Sequence, residues 1–211
     1  MWSNLPDLPL DTPQLLAIAA ALGWASGLRL YAVLFLTGLA GSFGWVTLPS
    51  GLHVLQSPLM LAASGLMLFI EFFADKIPGV DTLWDLVHTL VRIPAGAALA
   101  AAVFGADQSS WALAAALMGG TLAATSHVAK ATTRAALNAS PEPFSNIAMS
   151  LLGDSVVPVS LWLSWAHPYA FFGALAVALV VMLAVIWLLA KFLRRLARRI
   201  SAWFGAAQPS T

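Results

Sequence analysis

The sequence predicts an all-α fold, a polytopic transmembrane bundle of about six spans, from three observations. Hydrophobic residues occupy 60% of the 211 positions, only 9% are charged, and the mean hydropathy is +0.86. Soluble chains carry roughly 25% charged residues, so this chain lacks the polar surface of a soluble protein. Breaks rich in proline and glycine separate apolar runs of about the 20 residues that a span needs. A soluble enzyme, a disordered chain and a nucleic-acid-binding protein are therefore excluded.

Helix start and stop signals divide the chain into its elements. A Ser/Thr-Pro pair begins each of the first two helices, at Thr12-Pro13 and at Ser57-Pro58. In chain order, the predicted helices cover about 12–41, 57–76, 81–104, 111–138, 144–165 and the residues from 168 onward. Expected sites of loosening or bending are Gly23, Ser26, Gly27, Pro94 and Pro158. Residues 48–56 fit either a loop or a short interfacial or re-entrant piece, and the sequence leaves both open.

Residues 1–190 are predicted to form a single transmembrane domain, followed by a basic amphipathic tail at 191–211. The tail holds five of the ten cations, namely Lys191, Arg194, Arg195, Arg198 and Arg199. Positive charge favours the cytoplasmic side, so both termini are expected in the cytoplasm and the chain in a bacterial inner membrane. Anionic lipid is the expected partner of the tail, and a simple stop-transfer anchor explains the same charges.

Two stripes of ionisable residues lie on the third and fourth helices. Spacings of three and four residues place each set on one helical face: Asp81, Asp85, His88 and Arg92 on the third helix, and His127, Lys130, Arg134 and Asn138 on the fourth. A short loop makes these helices antiparallel, and the position sums of the two stripes are nearly constant. The expected facing pairs are Asp81–Asn138, Asp85–Arg134, His88–Lys130 and Arg92–His127.

The two halves of the chain, 13–105 and 111–190, share an order of landmarks. Each has Ser-Pro, then an aspartate shortly before a proline, then Leu-Trp. With three helices per half, this order suggests an inverted repeat, an architecture that recurs in transporters. Asp75 and Asp154 are counterparts in such a repeat.

Both aspartates precede prolines that free backbone carbonyls, and carboxylate with carbonyl oxygens suits a cation site. Arg29 is the expected partner of Asp154, which lies near mid-depth of the fifth helix. Glu71 and Asp75, four residues apart, form a second acidic face. The alternative for Asp75 is a helix-end carboxylate that reaches headgroup water beside Lys76.

Two segments resemble the signatures of a bacterial inner-membrane family known only as a domain of unknown function. They are EFFADKIPGVDTLWDLVHT, from Glu71 to Thr89, and SPEPFSN, from Ser140 to Asn146. The resemblance covers about residues 15 to 190. It implies a multi-span membrane protein and brings no substrate, cofactor or activity.

Two functions fit these observations. The first is a small permease, a proton- or cation-linked secondary transporter or channel-like protein. Its substrate or ion pathway would use Asp154, Asp75, Asp85, Asp81, His88, Arg92, His127, Lys130, Arg134, Arg29 and Glu71. The second is a membrane scaffold or lipid-interacting protein in which the same charges only hold helices together.

No enzymatic activity is expected, because the sequence contains no nucleophile motif, zinc-protease motif or P-loop. No cofactor or metal is predicted, and the lack of cysteine excludes thiolate metal sites. The expected partners are the lipid bilayer and an unidentified small molecule or ion, with no nucleic acid. Association into a homo-oligomer is left open.

Overall fold

A computed structural model describes residues 10–77, 79–105, 109–137 and 143–206, and every regular element within these ranges is helical. The α-helices are α1 (Thr12–Ser42), α2 (Pro58–Ala74), α3 (Val80–Ala102), α4 (Ser109–Leu137), α5 (Pro143–Ala166) and α6 (Pro168–Ala206). The six predicted helices are thus confirmed to within a few residues. The segment that the sequence left open contains a 3-10 helix, Ser50–Gln56, which meets α2 at an angle of 69°.

Local hydrogen bonds explain the first two helix starts. Ser57 caps α2, since its side chain accepts from the backbone N–H of Met60 at 3.3 Å. At α1 the cap is Asp11 rather than the predicted Thr12, and its Oδ1 accepts from the Gln14 N–H at 2.8 Å. In both helices a proline occupies the first turn, where its missing N–H has no helical partner.

Within the described ranges, four helices are long and apolar enough to cross a membrane. They are α1, α4, most of α5 and the first part of α6, and the bent unit of the 3-10 helix and α2 makes a fifth. The chain is therefore a polytopic membrane bundle, but six spans are not reached by this measure. The helix that is not counted is α3, because its charged residues lower its mean hydropathy.

The exposed face of α3 is nevertheless apolar. Its outward side chains are large and apolar: Leu83, Leu86 and Leu90 are 63%, 69% and 82% exposed. Its charged side chains Asp81, Asp85 and Arg92 are buried. Polar residues inside and apolar residues outside are what a bilayer requires.

The helix α1 lies at the centre of the bundle and contacts every other helix. Small residues allow close approach where α1, α3 and α4 meet. A Cβ atom added at Gly23 would overlap the backbone of Gly119, and Gly96 fits against Gly23 O and Ala123. The backbones of α1 and α4 are therefore in direct contact where these helices cross, with no side chain between them.

Replacement of Gly23 with alanine is expected to destabilise the bundle by about 1–3 kcal/mol, because the new methyl group forces two backbones apart. The measurement is unfolding of the detergent-solubilised protein in increasing SDS. Gly173→Ala on α6 is the matched control, since a Cβ there meets no atom within 4 Å. Equal stability of the two variants would contradict the close packing of α1 and α4.

The path of α1 changes at Arg29, whose φ of −149° and ψ of 83° are not helical. The two halves of α1 therefore meet at a break, two residues after Gly27, one of the residues expected to loosen this helix. By contrast, α3 and α5 continue through Pro94 and Pro158. The main interruption of a long helix is thus at an arginine and not at a proline.

The predicted basic tail is the direct continuation of α6, which runs unbroken to Ala206. At about 1.5 Å per residue its 39 residues extend for about 58 Å. This exceeds the roughly 30 Å thickness of the hydrocarbon core. The C-terminal part of α6 therefore projects beyond the apolar layer.

Candidate functional site

Within the described part of the chain, ten charged side chains from α1 to α5 and the α2–α3 turn form one continuous ion-pair network. Its members are the five cations that precede the tail, Arg29, Lys76, Arg92, Lys130 and Arg134, and the carboxylates Glu71, Asp75, Asp81, Asp85 and Asp154. The five positive and five negative formal charges cancel. All the predicted site residues except the two histidines belong to this network, and Lys76 is the one member that the sequence did not single out.

Asp75, directly after α2, pairs with three cations, as Asp85 also does. It lies 2.7 Å from Arg29 Nη1, 3.1 Å from Lys130 Nζ and 2.9 Å from Arg134 Nη1, and it is completely buried. The alternative that Asp75 reaches headgroup water is therefore wrong. The chain turns back at Gly79, whose φ of 88° suits glycine, and this turn holds Asp75 inside the bundle. Pro78, the proline that follows Asp75, lies outside the described residues.

Arg92 lies deeper in the bundle and joins α2 to α3. Its Nη2 donates to Glu71 Oε1 and its Nη1 donates to Asp85 Oδ1, both at 2.6 Å. None of these three side chains is more than 3% exposed. Arg92 is about 16 Å along α3 from Asp81 at 1.5 Å per residue. The network therefore extends from one end of the bundle towards mid-depth.

The predicted register of α3 and α4 is confirmed at two of its four pairs. Arg134 Nε lies 3.5 Å from Asp85 Oδ2, and Arg92 Nη1 lies 3.4 Å from His127 Nδ1. At the end of the stripe, Arg134 is 3.7 Å from Asp81. The predicted partner of Asp81, at position 138, lies outside the described residues.

The predicted His88–Lys130 pair is replaced by other contacts. Lys130 reaches Asp75 and Asp85, each at 3.1 Å, because a flexible ammonium group gains more from two carboxylates than from an imidazole. His88 Nε2 lies 3.1 Å from the hydroxyl of Tyr31 on α1, and its ring stacks on Trp84. No pattern in the sequence indicates Tyr31, since this contact joins helices that are distant in the chain.

His127 connects the network to a hydroxyl group. Its Nε2 lies 2.7 Å from Thr89 Oγ1, while its other ring nitrogen faces Arg92. Imidazole and hydroxyl groups in contact can pass protons between them. His127 therefore borders the network through Arg92, whereas the contacts of His88 are with Tyr31 and Trp84, and neither histidine is part of the ion pairs.

Asp154 on α5 joins the network through Arg29, the partner that the sequence predicts for it. Arg29 Nε lies 2.8 Å from Asp154 Oδ1, and Lys76 Nζ lies 3.3 Å from Oδ2. The same arginine donates to the backbone oxygen and the hydroxyl of Ser150, at 3.1 and 2.8 Å. Asp154 is 21% exposed, whereas the other carboxylates of the network are at most 3% exposed.

The contacts of Asp75 and Asp154 do not favour the predicted cation site. Both carboxylates already face guanidinium and ammonium groups, which supply their counter-charge. The freed backbone carbonyl is found elsewhere, at the break in α1, where Leu28 O accepts from Lys130 Nζ at 3.1 Å. Within the described ranges, no group of three His, Asp or Glu side chains is arranged to hold a metal ion.

A cavity of about 230 Å³ adjoins the network between α1, α4, α5 and α6. Arg29, Lys130 and Arg134 line one part of it together with Ser150, and no carboxylate is among the described residues that line it. The remaining wall is apolar and is formed mainly by Leu28, Met149, Val156, Val181, Met182 and Val185. The space exists because α4 and α5 have few contacts with each other. It thus combines cationic groups with an apolar wall.

Comparison with known proteins identifies the family and nothing more specific. No curated protein and no solved structure matches the chain significantly. The family described as "Domain of unknown function (DUF4126)" matches residues 16–191, a range that includes both signature segments and the whole ion-pair network. This chain is therefore a member of the DUF4126 family.

Proposed function

We propose that the protein is a small permease, a proton-linked secondary transporter whose substrate pathway passes through the cavity beside the ion-pair network. The observation that carries this proposal is the position of Arg29. It lies at the break of the central helix, lines the cavity, and binds the carboxylates of Asp75 and Asp154. Transporters commonly place substrate and coupling-ion sites at interrupted helices near the bilayer midplane.

Protons are the coupling ion in this proposal because every carboxylate of the network already has a cationic partner. Protonation of one carboxylate removes its attraction for that cation, so the contact between two helices weakens. Asp154 and Lys76 are each about one-fifth exposed, which gives the network a point of contact with water. A change of protonation can therefore alter how tightly α5 is held against α1.

The proposed membrane arrangement has six spans, with α3 and the bent unit that contains α2 both crossing. The apolar outer face of α3 supports this count. The order of landmarks supports an inverted repeat, as does the shared binding of Arg29 by the counterparts Asp75 and Asp154. Both termini face the cytoplasm of a bacterial inner membrane, because the basic tail follows α6.

A scaffold or lipid-interacting protein is the second candidate, and one observation favours it. The ten charges of the described network cancel among themselves, so they are sufficient as a connection between helices. In a scaffold the cavity is dry, whereas in a permease water reaches it from at least one side of the membrane.

Cysteine labelling separates the two candidates, and the chain contains no native cysteine. Single cysteines replace Thr133 and Gly153 at the cavity, Leu86 and Leu90 on the lipid-facing side of α3, and Thr47 in an exposed loop. A charged thiosulfonate reagent is applied to permeabilised membranes, and labelling is followed by mass shift.

The permease predicts that both cavity cysteines react, that the Leu86 and Leu90 positions stay unlabelled, and that the Thr47 position reacts fastest. Labelling confined to the Thr47 position would contradict the proposal and favour a scaffold. Labelling at all five positions would show that the reagent reacts with unfolded protein. A thermal unfolding curve for each variant checks for this.

A further inference from the structure

We propose that the cavity binds a small organic monocarboxylate with a short alkyl chain, and that one proton is taken up by Asp154 in the same event. This inference names the substrate class of the proposed permease and rests on that function for the movement across the membrane. Binding itself is measurable without transport, so the two proposals can fail separately.

The charge on the cavity wall selects an anion. Arg29, Lys130 and Arg134 line the cavity, and the carboxylates that pair with them are not among its lining residues. A ligand at this part of the wall therefore approaches cationic side chains and none of the described carboxylates. Guanidinium groups match the planar geometry of a carboxylate and can bind it through two parallel hydrogen bonds.

The rest of the wall selects an anion with an apolar part. Val156, Val181, Met182 and Val185 offer no side-chain hydrogen-bond donor, so a sulfate or phosphate ion would leave its outer oxygens unpaired against them. A volume of about 230 Å³ suits a small ligand, and hexanoate, with eight non-hydrogen atoms, is the probe of this class.

Charge neutrality of the network requires that a proton be taken up together with the anion. Because the network is neutral, a bound monoanion leaves one uncompensated negative charge inside the membrane, which is strongly unfavourable. Uptake of one proton by a carboxylate restores neutrality. Overall, the protein takes up one R–COO⁻ and one proton from water. The proton converts one network carboxylate to its acid, and no covalent bond to carbon is altered.

Asp154 is the carboxylate placed to accept this proton. It is the most exposed carboxylate of the network, and it holds the same Arg29 that lines the cavity. The charged groups around it are Arg29 on α1 and Lys76 after α2, with Asp75 on the far side of Arg29 and Lys130 and Arg134 across the cavity on α4. Protonation frees Arg29 Nε from Asp154 and leaves it available to the carboxylate of the ligand.

The test is calorimetric titration of the full-length protein in a neutral detergent with hexanoate, repeated in two buffers of different ionisation enthalpy. We expect saturable binding with uptake of about one proton per hexanoate. Hexanol and hexylammonium are expected to bind at least about tenfold more weakly, a difference of about 1.4 kcal/mol. Sulfate is expected not to compete.

Two variants, Gly153→Leu and Asp154→Asn, test the position of the site, and Gly173→Leu is the control. Gly153→Leu extends a side chain into the cavity and is expected to weaken hexanoate binding at least about tenfold. Gly173→Leu on α6, where an added Cβ meets no atom of another part of the chain within 4 Å, is expected to leave hexanoate binding unchanged. Asp154→Asn is expected to retain binding and lose the proton uptake. Thermal unfolding curves confirm that each variant is folded before titration.

Several results would overturn the inference. Equal affinity for hexanol would show a purely apolar cavity, and displacement by sulfate would show an unselective anion site. Displacement of hexanoate by phosphatidylglycerol added to the micelles would assign the cavity to a lipid headgroup. Unchanged binding in Gly153→Leu would place the site elsewhere, and unchanged proton uptake in Asp154→Asn would exclude Asp154. Labelled cavity cysteines without hexanoate binding would refute this substrate class and leave the permease standing.

Discussion

Replacement of Arg92 with methionine is expected to reduce the free energy of unfolding by about 3–5 kcal/mol, the largest effect of any single change proposed for this protein. The reason is the charge that it leaves behind. Glu71 is completely buried, its Oε1 is held by Arg92, and its Oε2 has no hydrogen-bond partner among the described residues. Asp85, the second partner of Arg92, keeps Lys130 and Arg134.

A double-mutant cycle isolates this cause. Because Arg92→Met alone leaves Glu71 charged without a cation, adding Glu71→Met to it is expected to recover part of the lost stability, with two apolar side chains in place of one buried charge. Unfolding in SDS, followed by circular dichroism, measures all four proteins. Lys191→Met, at an exposed site on α6, is the control for loss of a cation. A double variant no more stable than Arg92→Met would rule out the stranded carboxylate as the cause.

Asp75→Asn is expected to have the second-largest effect, a loss of about 3 kcal/mol. Three cations share this buried carboxylate, so its neutralisation leaves Arg29, Lys130 and Arg134 with one positive charge in excess. The asparagine amide has nearly the same shape as the aspartate carboxylate. The loss of stability therefore reports the change in charge rather than a change in packing.

Restoring neutrality is expected to reverse part of this loss. Lys130→Met alone leaves an excess of negative charge, but in the Asp75→Asn background it returns the network to four charges of each sign. The two changes are expected to be coupled by about 0.5–3 kcal/mol in the same SDS unfolding assay. Additive effects would show that the two residues do not share a charge balance. Thr133→Val, on the same helix as Lys130 but uncharged, serves as the matched change in α4.

The helices and the α3–α4 register follow from local sequence because both depend on short-range rules. A Ser-Pro pair supplies both the cap and the first residue of α2, so its start was predictable. Helical spacing fixes which residues share a face, and a short loop fixes which helix they face. These two rules are sufficient to predict the contact between Asp85 and Arg134.

The rest of the site depends on contacts between helices that are far apart in the chain. No spacing rule relates Arg29 to Ser150, or Tyr31 to His88, because the packing of α1 against α5 and α3 decides these contacts. Lys76 lies in the turn after α2, and no spacing rule indicates that its ammonium group reaches Asp154 on α5. The break in α1 has no proline to mark it, and the nearby glycine at position 27 indicated flexibility without giving its position.

The central position of α1 has a consequence for how the protein is made. This helix precedes the others in the chain, so it is expected to enter the bilayer ahead of Asp75 and Asp154, which pair with Arg29. The helix α3 carries three buried charges, each of which costs about 2.5–3.5 kcal/mol at mid-membrane when unpaired. As a proposed span, α3 is therefore expected to be stable in the bilayer only together with α2 and α4, which carry partners of its charges. In this proposed arrangement, a chain truncated before α5 is expected to lack Asp154, the second carboxylate that pairs with Arg29.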